Sequence, residues 1–230
     1  MASAKAVRDM FTSIAGRYDL INSVLSFGIH KVWKNRLLKC ASRYQSKISV
    51  DLCTGTGDLL PGLATRSDRV IGLDFCVEML SCAKPKIHNL NNVELIEGDA
   101  LQLPFSDQSV DLVTVAFGVR NFENLERGLR EIQRILAPGG HVLILEFGQP
   151  RNFIFKQIYN YYSAIFLPII GWLLVGNASA YRYLRETAGS FPCREAFIQQ
   201  LQAAGLNNAE YKPQTGGIAY IYSAQTLIEK

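Results

Sequence analysis

The sequence contains no C-x-x-C pair, and its cysteines are five and scattered: Cys40, Cys53, Cys76, Cys82 and Cys193. An odd set of this kind excludes a disulfide scaffold and a paired-thiolate zinc site, and points to a reduced, cytoplasmic chain. The histidines, His30, His88 and His141, lack ligand spacing, so no metal is expected. The opening MASAKAVRDM has no apolar stretch of the kind a secretory signal requires. Acidic residues are missing from 20–50, which carries Lys31, Lys34, Arg36, Lys39, Arg43 and Lys47. Charge of either sign is missing from Gln157 to Tyr181. Within that stretch AIFLPIIGWLLVG (164–176) is the most apolar run, but it is short for a membrane span and is interrupted by Pro168 and Gly171. No internal repeat or low-complexity linker occurs. The net charge of +4 is compatible with an anionic surface and selects no partner.

The 230 residues, 48% apolar, suffice for one domain with a substantial core. From Lys47 onward, apolar strand-like runs alternate with helical patterns. KISVDLC (47–53), RVIGLD (69–74), NVELIEGDA (92–100), SVDLVTVAF (109–117) and HVLILEF (141–147) read as strands. GDLLPGLA and CVEMLSCAKPKI read as intervening helices, and NLERGLREIQRIL (124–136) as an amphipathic helix stopped by APGG. REAFIQQLQAAGL reads as a last helix, followed by two β-like runs, AEYKPQT and GIAYIYSAQTL. This order predicts a single α/β domain with a parallel, doubly wound sheet. Its parts are an N-terminal helical cover (1–46), a cofactor-binding core (47–147), a helical insertion on the substrate side (148–190) and a C-terminal helix and strand pair (191–230). Ligands of such sheets sit at the carboxyl ends of the strands.

At that edge lies DLCTGTGDLL (51–60). A dinucleotide fingerprint would place a third glycine where Leu60 stands, and would not set a carboxylate, Asp51, before the loop that faces a diphosphate. An acid there suits a cofactor with an ammonium group and a sulfonium. Asp74 ends the second predicted strand, where it can accept both hydroxyls of a ribose. Asp99 ends the third, where it can accept from an adenine amino group. Three acids at three successive strand ends form a constellation for S-adenosylmethionine. The alternative is that Asp51 and Asp99 cap helices or turns.

Several segments occur in a characteristic order: FTSIAGRYDLINSVLSFGIHKVWK (11–34), DLCTGTGDL, GDALQLPF, AFGVRNF (116–122), RILAPGGHVLILEF and NASAYRYL (177–184). Together they closely resemble the menaquinone/ubiquinone biosynthesis C-methyltransferases, over nearly the whole chain. The resemblance implies a class I fold, a Rossmann-like, seven-stranded, mostly parallel sheet with helices on both faces, that uses S-adenosylmethionine to methylate a ring carbon of a prenylated quinol, with demethylmenaquinol as the leading substrate and the benzoquinol step of ubiquinone synthesis as a related one. Carried over by position, the family's cofactor contacts fall on Thr56, Asp74, Asp99 and Ala100, which join Asp51 and Gly55 of the glycine loop as the candidate cofactor-binding residues. Cys53 stands where many methyltransferases carry a glycine, and is read as tight packing, not a nucleophile.

Methyl transfer to carbon needs an electron-rich acceptor, so the ring must be the reduced quinol with one hydroxyl giving up its proton, although a phenol titrates near pH ~10. Arg120 and Asn121, just past the fourth strand, are the candidate catalytic residues, with the guanidinium stabilising a quinolate oxygen or holding a water. The competing reading pairs Arg120 with a neighbouring acid such as Glu123. Tyr18, Asn22, Tyr181 and Arg182 are the candidate substrate-binding residues, and Asp19 is expected to cap a turn. The apolar run 164–176 is either a buried helix or a groove for the prenyl tail that touches the bilayer. The basic stretch 20–50 could rest on anionic lipid, which would make the chain peripheral at the inner face of a membrane. A homodimer is compatible with the sequence. A non-catalytic S-adenosylmethionine-binding assembly protein is the alternative function, against which the FGVRN and SAYRYL segments argue. No nucleic-acid partner is expected, since no Asn/Asp-Pro-Pro-aromatic motif occurs.

Overall fold

The structure, a computed structural model, describes residues 4–150, 157, 161 and 179–228. Three helices come first: α1 (Ala4–Ile14), α2 (Tyr18–Leu25) and α3 (Ile29–Ala41). The sheet region follows as β1 (Ser46–Leu52), α4 (Leu60–Ala64), β2 (Ser67–Asp74), α5 (Val77–Ile87), β3 (Val93–Glu97), β4 (Val110–Ala116), α6 (Leu125–Ile135) and β5 (Leu136–Phe147). After the undescribed stretch come α7 (Ser179–Ser190), α8 (Glu195–Ala203), β6 (Asn207–Gln214) and β7 (Ala219–Gln225).

The seven strands form one sheet in the order β3-β2-β1-β4-β5-β7-β6. The first five are parallel, and β7 pairs antiparallel with both β5 and β6. Strand order reverses between β1 and β4, so the crevice for a ligand opens at their carboxyl ends. Side chains alternate across the sheet as the two-residue period requires. Val50, Leu52, Ile71, Leu73, Val113 and Ile144 pack beneath Leu129, Ile132 and Ile135 of α6 and Phe197 and Leu201 of α8. On the other face Val70, Leu112, Leu143 and Leu145 meet Trp33 and Leu37 of α3 and Leu60 and Leu63 of α4. A third cluster joins Ile14, Ile21 and Leu25 of the N-terminal cover to Cys76 and Met79 around α5.

Three expected elements differ. The third strand stops at Glu97, and Asp99 lies beyond it in an isolated bridge with Gln102. The helix after the first glycine turn begins only at Leu60, because Gly55 and Gly57 hold positive φ and Pro61 supplies a first-turn start. APGG ends α6 but belongs to β5: Leu136 pairs with Val110, and the irregular stretch rejoins regular pairing at His141 opposite Leu112. The apolar run 164–176 lies outside the described residues. Among the described residues no helix is long and apolar enough to cross a membrane.

Candidate active site

The ends of β1, β2 and β4 open onto one cavity, lined by Tyr18 and Phe11 of the cover, Gly55, Asp74, Asp99 and Ala100 of the sheet edge, and Phe117 and Asn121 past β4. The turn after β1 forms because three residues adopt left-handed backbone: Cys53 (φ 52°), Gly55 (φ 55°) and Gly57 (φ 77°). Gly57 also has no room for a side chain, since a Cβ would stand 2.8 Å from that of Ala83 on α5. Cys53 is unusual as a side chain in this conformation. It packs where Gly118 approaches, whose own Cβ would fall 2.6 Å from the Cys53 Cβ. Burial pushes the Cys53 thiol well up, with Asp74 and Asp51 adding to the effect, so it is no thiolate nucleophile.

Asp74, at the end of β2, is buried and serves as the hub of the turn. Its Oδ2 accepts the Gly55 N–H at 2.8 Å and its Oδ1 the Cys76 N–H at 2.9 Å. Burial raises its pKa, and the N–H donors of Cys76, Gly55 and Phe75 oppose the rise. Each oxygen keeps a lone pair for a further donor. Asp99 is exposed at the cavity; its Oδ1 accepts the Leu101 N–H, so it both makes a turn and faces the ligand space. Ala100 stands beside it on the wall.

Asp51 does not line the cavity. It is 2% exposed, and its two oxygens accept the hydroxyls of Thr54 and of Thr114 on β4, each at 2.6 Å. Burial raises its pKa to about 6 against these two bonds. Thr56 is also turned away from the cavity: its hydroxyl donates to Asp19 Oδ1 at 2.6 Å. Asp19, expected to cap a turn, instead fastens the glycine loop. Lys86 Nζ reaches Asp19 at 2.6 Å and also Asp58, while Lys34 reaches Asp58 at 2.7 Å. Asn22 is not at the cavity; its carbonyl accepts from Ser26. Tyr181 and Arg182 belong to α7, but their side chains lie outside the described residues.

The Arg120–Asn121 pair divides. Asn121 lines the cavity; Arg120 does not, and its side chain is 6% exposed. Its partner is Glu146 at the end of β5, not Glu123, which is exposed. Arg120 Nη1 donates to Glu146 Oε1 at 2.9 Å and to the Phe117 carbonyl. The guanidinium carbon lies 5.2 Å from the centre of the Phe147 ring. A carboxylate with no exposure demands a cation, and Arg120 is the one supplied. Phe117 itself holds φ 62°, a conformation costing a bulky residue about 1–2 kcal/mol. Asn121 is fixed at both ends: Tyr183 Oη donates to its Oδ1 at 3.1 Å, and its Nδ2 lies 3.5 Å from the Phe117 carbonyl. Glu146 was detectable in the sequence as the one acid in the apolar run HVLILEF, a place where charge needs a buried partner. The Asp19–Lys86–Asp58 links had no such signal, because they join residues far apart in the chain.

The donor set fits S-adenosylmethionine: acceptors at Asp74 and Asp99 suit a ribose and an adenine amino group, and Leu73, Met79, Ala100 and Leu101 offer apolar wall for the base. A sheet of this order, with a glycine turn after β1, an acid at the end of β2 and another just past β3, defines a class I S-adenosylmethionine-dependent methyltransferase. A crystal structure of an S-adenosylmethionine-dependent methyltransferase from Thermotoga maritima superposes with a TM-score of 0.67 at 18% identity, covering 95% of this chain and 99% of that one. The model of the ubiE/COQ5 methyltransferase family matches residues 1–226, and the chain belongs to that family. The demethylmenaquinone methyltransferase of Thermus thermophilus is 43% identical over 93% of this chain and 98% of its own length. The ubiquinone/menaquinone biosynthesis C-methyltransferase UbiE of Bdellovibrio bacteriovorus is 39% identical over 94% of both. The protein is thus an S-adenosylmethionine-dependent methyltransferase.

Proposed function

We propose that this enzyme methylates a ring carbon of a prenylated quinol, converting demethylmenaquinol to menaquinol, with the benzoquinol of ubiquinone synthesis as the related substrate. The observation that carries the reading is the cavity itself. It joins the strand-end acids Asp74 and Asp99 to an aromatic wall of Phe11, Tyr18, Phe75, Phe117 and Phe122, with the amide of Asn121 among them. A flat apolar ring suits such a wall, and the family membership and the names of the relatives point to the same acceptor.

The bound cofactor supplies an electrophilic methyl group on a sulfonium. Asp74 would accept the ribose hydroxyls while keeping the Gly55 turn in place. Asp99 and Ala100 would hold the adenine edge. Asp51 acts from beneath the loop, through the Thr54 and Thr114 hydroxyls that fix the β1–β4 crevice, and Thr56 acts by fastening the loop to Asp19. On the acceptor side, Asn121 would donate to a quinolate oxygen through the Nδ2 hydrogen that is not turned to the Phe117 carbonyl, while its Oδ1 accepts from Tyr183. Tyr18 covers the ring from the N-terminal side. The substrate roles of Tyr181 and Arg182 fall on side chains outside the described residues.

A peripheral membrane contact is part of the proposal. Leu20, Phe27 and Val32 are exposed on α2, α3 and the turn between them, beside Lys31 and in a stretch without acids. Expression in a strain lacking its quinol methyltransferase tests the function. Restored menaquinone supports it; continued accumulation of demethylmenaquinone with the protein present and folded contradicts it.

A further inference from the structure

The site contains a buried ion pair that no methyl-transfer step uses directly. Glu146 has no exposure, yet it accepts three bonds: from Arg120 Nη1 at 2.9 Å, from the Arg120 backbone N–H at 3.3 Å and from the Phe147 N–H at 2.8 Å. Arg120 in turn grips the Phe117 carbonyl. Phe117 is the residue whose left-handed backbone turns the chain at the end of β4, and its N–H is held by the Leu145 carbonyl at 2.7 Å. Asn121 sits at the end of the short turn that follows, with its N–H bonded to the Gly118 carbonyl at 3.0 Å, its amide beneath the Phe117 carbonyl and its Oδ1 under the Tyr183 hydroxyl. A continuous chain of contacts therefore runs from the carboxyl end of β5 to Asn121, the one side-chain amide among the described residues that line the cavity.

We infer that Glu146 is a positioning residue: it anchors Arg120, Arg120 fixes the Phe117 turn, and the turn presents Asn121 to the acceptor oxygen. The inference rests on the quinol reading for its kinetic consequences but not for its structural ones. Two properties separate this role from simple charge. A carboxylate paired at 2.9 Å opposes the field of Arg120 at any third site, so the pair is a weak direct stabiliser of an anion. A left-handed phenylalanine, by contrast, persists only where its surroundings over-determine it, and Arg120 and the Leu145 carbonyl supply that restraint.

The test uses full-length Glu146→Gln and Glu146→Asp with dithionite-reduced demethylated naphthoquinone as acceptor. Glu146→Gln should lower kcat by roughly tenfold to a hundredfold, as misplacement of a reacting group by about 1 Å does. Affinity for S-adenosylmethionine should stay within about twofold, because Asp74 and the Gly55 turn are untouched, and the midpoint of the kcat pH profile should not move. Glu146→Asp should rescue nothing, since the shorter side chain keeps the charge but loses reach. In the ligand-free protein, hydrogen exchange at 117–122 should quicken by about tenfold or more in both variants while the strands stay protected. Full rescue by Asp, or an acid shift of the profile with unchanged exchange at 117–122, overturns the inference in favour of charge. Should both variants fail to fold, the apolar replacement Arg120→Met/Glu146→Leu removes the pair without leaving a lone charge. The same kcat loss is expected there, and wild-type turnover overturns the role. If the wild-type protein methylates no quinol, the substrate reading fails by itself and the exchange experiment decides: unchanged protection of 117–122 in Glu146→Gln rejects Glu146 as the anchor.

Discussion

The hydroxyl of Thr56 in the glycine turn donates to Asp19 of α2 at 2.6 Å, across 37 positions of sequence. That contact ties the N-terminal cover to the loop expected to hold the cofactor. Lys86 reinforces it by bonding Asp19, Asp58 and, at 3.1 Å, the Thr56 hydroxyl. Burial alone would lower the Lys86 pKa; the two carboxylates reverse this and raise it. Lys86→Met should therefore leave two acids facing each other and lower stability by about 1–2 kcal/mol in low salt, with less effect as salt is added. Limited proteolysis should also release residues 1–46 faster. A variant with wild-type urea midpoint and unchanged cleavage would show that the cover is held by apolar packing alone.

Asp74 is proposed to hold both the ribose and the turn. Charge-assisted bonds are worth roughly 1.5–3 kcal/mol each before compensation. Asp74→Ala should weaken S-adenosylmethionine at least about tenfold by calorimetry and release the Gly55 N–H to exchange. Unchanged affinity in a folded variant refutes the placement, and a preference for NADH refutes the proposed fit of the site.

Asp51 gives a pH signature. Its carboxyl titrates at about 6 in the fold, against 3.8 for the ordinary group, because burial outweighs the Thr114 and Thr54 bonds. Between those values the native state binds more protons than the unfolded chain, so stability falls as pH rises through the window, by about 3 kcal/mol in all. Asp58 has the opposite sign: burial resists its ionisation, but Lys34 and Lys86 bring it down to about 2. Its contribution is present above pH 4 and is lost as pH falls from there toward 2. Urea unfolding of wild type and Asp51→Asn from pH 4 to 7 should give curves that diverge in slope. Parallel curves contradict the assignment.

The alternation of strands and helices was legible because a buried parallel sheet writes near-continuous apolar runs, and β1, β2 and β4 fall within one or two residues of those runs. The C-terminal strand pair and α6 were equally plain. Asp74, Asp99, Ala100, Gly55, Tyr18 and Asn121 were placed at the cavity by strand-end logic and family resemblance, and they line it. Strand-end position does not reveal which way a side chain turns. Asp51 and Thr56 share the loop but face Thr114 and Asp19 respectively. Arg120 was read as facing the ligand from its position just past the fourth strand; its partner, Glu146, is distant in sequence and close only once β5 lies beside β4.

The buried pair makes Arg120 a stability residue as well. Arg120→Ala strands Glu146 without a cation and should cost about 3–5 kcal/mol, since removing one member of a buried pair leaves an uncompensated charge. The melting temperature should drop by several degrees, and Arg120→Ala/Glu146→Leu should recover much of it. A single variant that melts within about one degree of wild type would mean the pair is solvated in solution.

The central claim, methylation of a reduced ring carbon, is tested most directly by one assay. Radiolabelled S-adenosylmethionine and a demethylated naphthoquinone are incubated with the protein, with and without dithionite, and label is followed into the ring carbon. Transfer that requires the reductant is the predicted result, because only the quinol offers an electron-rich carbon. Equal transfer to the oxidised quinone, or label appearing on oxygen, would contradict it.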